Sequence, residues 1–496
     1  MQNIHLKKEP KLDKRFQAFA YQAEAVNAVR DLDYAAIFHE QGLGKTKIGL
    51  DIILYWLETR TVDTALLVVK KGLIANWLKE INAHTYLKPR LITQNRGANF
   101  YAFNSPARLM LTHYEAVKAE YERFRLFLKA RTVGVILDEA AKIKNPGSAL
   151  TEAFFELAPL MKKRVIMTGT PVANRPYDIW AQIWFLDHGK ALGQDFDGFK
   201  ASVDLTNDLA DDVPAQERLE QHLKNIFKKI EYFSVRETKA SGIIKLPDKV
   251  FEALHASWET RQYELYRQLR DDLHAVVVKE GFPKEEDAGP ILKRLLRLVQ
   301  VASNPRLVDD SYSATPGKLE LLTNLVRRIR DASEKCIIWT SFTENVDWLS
   351  KELRAHGTCR VHGKLTIEER NRAIDRFLSL DDVRVLIATP GAAKEGLTLT
   401  VANHVIFYDR TFSLDDYLQA QDRIHRISQK KTCYVYNLIM EDSIDEWVDI
   451  LLRSKQLAAQ LAQRDISIEF YKSQISYAFG DILRGILGLD EQVERK

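Results

Sequence analysis

The chain has 496 residues, 46% of them hydrophobic and 28% charged, a length that suits about three domains and a composition ordinary for a globular protein. Lysine and arginine number 72 against 68 acidic residues, a net charge of +4, so overall charge selects no partner and any nucleic-acid surface must arise from local clustering. Cys336, Cys359 and Cys433 are too widely spaced for a disulfide framework or a zinc site, residues 1–15 lack the apolar core of a signal peptide, and no apolar run is long enough to span a bilayer, so the expected setting is cytoplasmic, reducing and without a membrane.

Residues 16–30 carry apolar side chains at helical spacing: Phe16, Phe19, Tyr21, Ala25, Val26 and Val29. Gln22 lies on this segment, a little upstream of a glycine loop. Its amide can donate and accept at once, as reading an adenine edge requires; a surface amide is the equal alternative. Next, Tyr34–Phe38 reads as a buried parallel strand. It breaks at Gly42 and Gly44, and helical spacing resumes at Ile48, Ile52, Ile53 and Leu57. Strand, glycine loop and helix together aim backbone N–H groups and a helix N-terminus at a phosphate. In such a loop Lys45 reaches the β- and γ-phosphates and Thr46 ligates Mg2+. The usual first glycine is replaced by His39.

Thr64–Val69 is the next strand, ended by Lys70, Lys71 and Gly72, and a helix containing Trp77 follows from Leu73 to Ile81. Arg108–Thr112 is a third strand. Strand ends in an open parallel sheet face the ligand crevice, so Lys71, Trp77 and Thr112 are placed to touch a phosphate backbone. Thr389, at the end of a later strand, is assigned with them. By spacing alone, solvated charges and a core indole compete equally with that reading.

Val133–Leu137 is a fourth strand, closed by Asp138, Glu139, Ala140 and Ala141. Carboxylates do not sit unpaired in cores, so the pair calls for a role. Asp138 would hold Mg2+ through water, and Glu139 would orient and deprotonate the attacking water. Arg164–Met167 is a fifth strand, ending in Thr168-Gly-Thr-Pro171.

Residues 185–240 then read as helical and polar, with acids at Asp208, Asp211 and Asp212. Residues 258–302 read as helical with a basic run at Lys293, Arg294 and Arg297, interrupted by a loop from Gly281 to Asp287. Ala314–Gly317 is the strongest linker signal. Strands then return at Cys336–Trp339, Thr358–Val361, Val383–Ala388 and His404–Tyr408, with helices over 343–356, 366–379 and 413–426. This is a second doubly wound α/β lobe without a phosphate loop, suited to completing the first site from across a cleft. Its candidates are Arg423 and Arg426, three residues apart and therefore on one helix face, two guanidiniums suited to a transferring γ-phosphoryl group. A solvated basic helix is the alternative. Residues 452–496 read as helical, with apolar spacing at Ile482, Leu483, Ile486 and Leu487.

In this order the motifs resemble the Swi/Snf-type branch of the superfamily-two helicase-like ATPases, over about residues 15–450. Gly42–Thr46 resembles motif I, and Asp138–Asn145 motif II with the branch's Ile-Lys-Asn extension. Thr168–Pro171 is similar to motif III, Gly396–Thr400 to motif V, and Gln419–Lys430 to motif VI, the last close to a signature of the branch. Arg236, Leu246-Pro247 and the segment Gln262–Tyr266 match elements between the lobes.

The resemblance implies an α/β fold of two RecA-like doubly wound parallel-sheet lobes with helical protrusions between them. Lobe one would span 1–255 with a protrusion at about 186–240, a second protrusion and linker 256–313, lobe two 314–455, and a C-terminal helical segment 456–496. It implies ATP and Mg2+ as cofactors, held by Gln22, Gly42, Gly44, Lys45, Thr46, Asp138 and Gln419. Glu139, Lys45, Arg423 and Arg426 would carry catalysis. The implied partner is double-stranded DNA, with other DNA-processing or nucleoprotein components beside it, and the implied activity is ATP hydrolysis coupled to tracking on the duplex. A strand-separating helicase on RNA or single strands, and a motor or clamp subunit active only in a larger complex, are the alternatives. Three departures from the branch's pattern stand out: Ala141 for a histidine in motif II, Ala393-Lys394 for a glycine pair early in motif V, and Phe412-Ser-Leu414 for Trp-x-Pro ahead of motif VI. These variations look more like prokaryotic or viral members.

Overall fold

The computed structural model describes residues 9–172, 175–203, 213–280, 289–393 and 398–474. It divides into two compact units. The first takes the chain through 204, then 218–245 and 461–465, and the second takes the remainder.

The first unit is built on a seven-stranded sheet: β1 (Tyr34–Ile37), β2 (Thr64–Val69), β3 (Arg90–Leu91), β4 (Leu109–His113), β5 (Val133–Asp138), β6 (Lys163–Met167) and β7 (Ser234–Val235), in the order β3-β4-β2-β5-β6-β1-β7. Every pairing is parallel. Parallel strands need crossovers, and these are helices that cover the sheet. Strands covered in this way read as unbroken apolar runs, and all six residues of β2 are buried. Ile48, Ile52, Ile53 and Trp56 of helix α2 (Lys45–Glu58) join Leu67, Ile136 and Val165 in the core. Helix α1 (Ala20–Val29) begins later than its apolar spacing suggests, leaving Phe16 and Phe19 exposed ahead of it.

The order of this sheet positions the site. β5, β6 and β1 are neighbours, and Asp138, Met167 and Ile37 are partners across them. The segments that follow these three strands therefore leave the sheet at one level, although the sequence separates them widely.

The second unit holds a six-stranded, wholly parallel sheet: β8 (Lys249–Ala256), β9 (Cys336–Trp339), β10 (Thr358–Val361), β11 (Val385–Ala388), β12 (His404–Phe407) and β13 (Cys433–Met440), in the order β10-β11-β9-β12-β13-β8. The sequence boundary after residue 255 falls inside β8, which pairs with β13 along its whole length, and the chain divides instead between 245 and 246. Ala314–Gly317 lies within the second unit. Gly317 donates its N–H to Gln262 Oε1 at 3.0 Å, and a Cβ there would meet the Ser257 carbonyl oxygen at 2.0 Å, so this glycine marks a close crossing of two backbones. The helices Thr260–Glu280 and Gly289–Ser303 pack through Tyr266, Leu273, Leu298 and Val299 onto Leu414, Ile444 and Val448. Lys293, Arg294 and Arg297 are exposed.

The three cysteines are buried and unbridged. Among the described residues no helix is long and apolar enough to cross a membrane. Asp208, Asp211, Asp212, the 281–287 loop, Lys394, Gly396 and the Ile482–Leu487 stretch lie outside the described residues.

Candidate nucleotide site

The loop after β1 turns on two glycines with positive φ, Gly42 at 88° and Gly44 at 72°. At Gly44 a side chain is barred twice, because a Cβ would also lie 2.3 Å from Gln22 Nε2. Helix α2 begins at Lys45, and the N–H groups of Lys47 and Ile48 in its opening turn donate to the Gly44 carbonyl at 2.9 and 3.3 Å. The Lys45 ammonium folds back over its own loop and donates to the carbonyl oxygens of His39 at 2.9 Å and Glu40 at 3.3 Å. Those oxygens offer the acceptor chemistry that phosphate oxygens would. Gln22 is buried and faces the same loop. Its Oε1 accepts from the Phe19 N–H at 3.0 Å, and its Nε2 donates to the Tyr21 hydroxyl at 3.2 Å and the Leu43 carbonyl at 3.3 Å. The Tyr21 hydroxyl donates to that carbonyl as well, at 2.9 Å. Gln22 therefore braces the glycine loop from below. His39 is buried, and burial, with the Lys45 charge beside it, pushes its imidazole down to about 4, so it is neutral at pH 7.

Asp138 closes β5. Its Oδ2 accepts from the Trp77 indole N–H at 2.8 Å, and its carbonyl accepts from the Tyr114 hydroxyl at 2.8 Å. Burial and the adjacent Glu139 raise its carboxyl to about 6, opposed by the Trp77 hydrogen bond and by Lys45 and Lys70. Glu139 adopts φ 58° and ψ 56°, a left-handed conformation that a non-glycine residue holds only when its surroundings fix it. They do so here: Oε1 accepts from Thr168 Oγ1 at 3.0 Å and Oε2 from Gln41 Nε2 at 3.4 Å. Gly169 packs directly on Gln41, where a Cβ would approach its Cγ to 2.9 Å. The segments after β1, β5 and β6 thus interlock around one carboxylate. An ammonium, a helix N-terminus, the Thr46 hydroxyl and the Asp138 carboxylate are a donor set suited to a triphosphate with a hard divalent cation.

The residues expected at a nucleic-acid backbone separate. Trp77 is only 1% exposed and is turned inward to Asp138. Thr112 is fully buried and donates to the Ile92 carbonyl at 3.0 Å. Thr389 is 8% exposed, and its N–H donates to the Val361 carbonyl at 3.1 Å. These positions are corrected to interior ones, where buried oxygens recruit their donors. Lys71, in the short helical turn Lys71–Leu73 after β2, is exposed, with Nζ 3.3 Å from Gln94 Oε1.

In the second unit the helix Leu414–Gln421 stops before the arginines, so Arg423 and Arg426 do not share a helix face as their spacing suggests. The Arg423 N–H donates to the Ala420 carbonyl at 3.4 Å, and a run of turns follows. Gln429 braces this run. Its buried amide donates to the carbonyls of Thr400, Ala402 and Ile424 at 3.3, 2.9 and 3.1 Å, and accepts the N–H groups of Lys430 and Lys431 at 2.9 and 3.0 Å. The Leu399 N–H adds a bond to the Arg423 carbonyl at 3.0 Å. Arg423 is 4% exposed; Arg426 donates to the Asp422 carbonyl at 3.0 Å and to Thr398 Oγ1 at 2.9 Å. Gln419 is buried and donates to Asp415 Oδ1 at 2.7 Å. Gln429 lies within the Gln419–Lys430 motif, but the sequence reading gave it no role of its own.

The SNF2-related domain family matches residues 21–307, and the helicase conserved C-terminal domain family matches residues 317–428. Among curated relatives, the ISWI chromatin-remodeling complex ATPase ISW1 of Saccharomyces cerevisiae is 28% identical over 461 residues, covering 88% of this chain and 39% of that protein. The putative ATP-dependent helicase/translocase YwqA of Bacillus subtilis is 28% identical over 445 residues, covering 85% of this chain and 46% of that protein. The chain thus spans less than half the length of either. The solved SWI2/SNF2 ATPase core of Sulfolobus solfataricus in complex with dsDNA aligns over 95% of this chain and 99% of that one, with 24% identity and a TM-score of 0.42.

Proposed function

The chain belongs to the SNF2-related family, and from that membership we propose that it is an ATP-driven motor that tracks along double-stranded DNA and displaces or remodels what is bound there. The observation that supports this most is the gathering of Asp138, Glu139 and Thr168 at the ends of two adjacent strands, with the Lys45 charge acting on Asp138, in a chain that also carries the helicase C-terminal domain. When bound, ATP supplies the phosphoanhydride to be cleaved, and Mg2+ offsets its charge.

The chain's own residues do the rest. Lys45 exchanges its loop carbonyls for phosphate oxygens, and the first-turn N–H groups of α2 bind beside it. Thr46 and Asp138 hold the cation. Glu139, aimed by Thr168 and Gln41, takes the proton of the attacking water. Arg423 and Arg426 stabilise charge on the transferring phosphoryl group. Lys71 binds the DNA backbone. Contacts of that kind carry no sequence information and weaken steeply with salt.

The test is ATP hydrolysis by the purified chain with duplex DNA, single-stranded DNA or RNA, joined to displacement of a third strand from a triplex. Duplex-stimulated hydrolysis with triplex displacement is the expected result. Stimulation by single strands with no response to duplex would replace tracking with strand separation.

A further inference from the structure

Trp77 has no place in the roles above, yet among the described residues its indole N–H is a hydrogen-bond donor to the Asp138 carboxylate. β2 and β5 are neighbours, with Val68 beside Leu137, so the segment after β2 stands against the end of β5. Helix α3 (Ile74–His84) starts there and carries Trp77 inward. A buried indole needs an acceptor for its N–H. Trp56, equally buried in the same core, gives its N–H to the main-chain carbonyl of Arg30 at 3.0 Å, a purely architectural bond. Trp77 gives its N–H to an acid of the nucleotide site at 2.8 Å instead. Tyr114 pins the main-chain carbonyl of that same aspartate. With backbone and one carboxylate oxygen both held, the plane of the carboxyl group is set, and the second oxygen has a single direction.

We infer that Trp77 is a positioning residue for metal binding: its indole N–H fixes Asp138 Oδ2 so that the carboxylate presents its other oxygen to the divalent cation of a bound nucleotide. The inference rests on the reading of this site as one for a metal–nucleotide complex. Loss of a partner that orients a ligand in this way costs about 10–100-fold in metal affinity.

Trp77→Phe keeps the ring and deletes the N–H. The measurement is Mn2+ binding to the ADP-bound chain, read from the electron paramagnetic resonance of free Mn2+, beside binding of a fluorescent ADP analogue without metal. The expected result is an Mn2+ dissociation constant raised about tenfold, with metal-free nucleotide affinity unchanged. In an Asp138→Asn background the same substitution adds nothing, since the pair acts as a unit. A folded Trp77→Phe chain with wild-type Mn2+ affinity overturns the inference while leaving the nucleotide site intact. Wild-type chain that binds neither nucleotide nor Mn2+ overturns the reading of the site itself. If Trp77→Phe does not fold, the eight indole N–H resonances of 15N-tryptophan-labelled chain give the answer. The resonance displaced by Asp138→Asn must also be the one that Mg2+ moves most in the ADP-bound protein; failure of that resonance to respond overturns the inference.

Discussion

The two units hold their charged residues by different means. In the first, Asp138, Glu139 and Thr168 stand at the ends of two adjacent parallel strands in register, so the hydrogen-bond ladder of the sheet itself sets where each begins. In the second, Arg423 and Arg426 sit on a run of turns whose shape depends on one side chain, the Gln429 amide, bonded to five backbone groups. A sheet edge spreads positional control over many bonds, whereas an amide brace concentrates it in one residue. The first arrangement should tolerate loss of a neighbouring side chain, and the second should not.

The largest expected effect lies at the chemistry of the first unit. Glu139→Gln keeps the side-chain shape and an oxygen for Thr168, but removes the base. Turnover should fall by about 10²–10⁴ with nucleotide binding retained, measured by steady-state hydrolysis and equilibrium binding. The next effect tests the contrast directly. Gln429→Ala leaves three carbonyls, two of them in buried bonds, without this donor and two N–H groups without this acceptor. At about 1 kcal/mol per hydrogen bond, it should destabilise the second unit by about 2–4 kcal/mol in denaturant unfolding. Gln41→Ala, which loses one long contact to Glu139, should cost about 1 kcal/mol or less. Equal costs for the two substitutions would remove the contrast.

A smaller effect follows from His39. Its pKa is held below the ordinary 6.5, at about 4, so between those values the folded chain binds fewer protons than the unfolded one. The contribution of the neutral imidazole is therefore complete above about pH 6.5 and is lost as pH falls toward 4. Thermal midpoints measured from pH 7 to pH 4.5 should decline less steeply in His39→Gln than in wild type. The smallest effect is at Lys71. Lys71→Ala should weaken duplex binding alike for all sequences and reduce the slope of log affinity against log salt by about 1, measured by titration at several salt concentrations.

Much of the first unit was legible because burial on both faces writes a parallel strand as a continuous apolar run, and because the glycines and carboxylates follow those runs. β8 was not legible for the converse reason. It is an edge strand, largely exposed, and Lys249, Glu252 and His255 break its apolar character. β13 escaped because it follows the basic motif without a turn signal and carries Asn437 at mid-strand. The arginine segment misled because periodicity reports which residues would share a face if the helix continued, and says nothing of where it ends, here at Gln421. Trp77 and Thr112 show the same limit. Spacing placed them near the strand ends, but the direction of an N–H or O–H is settled by whichever buried oxygen lacks a donor.

The most direct test of the motor reading is the duplex-DNA-dependent ATPase activity of Arg423→Ala, measured beside its affinity for nucleotide. The account predicts turnover lowered about 10³-fold or more with nucleotide affinity close to wild type. Full DNA-stimulated hydrolysis by Arg423→Ala would contradict it, because the catalytic charge would then have to come from elsewhere.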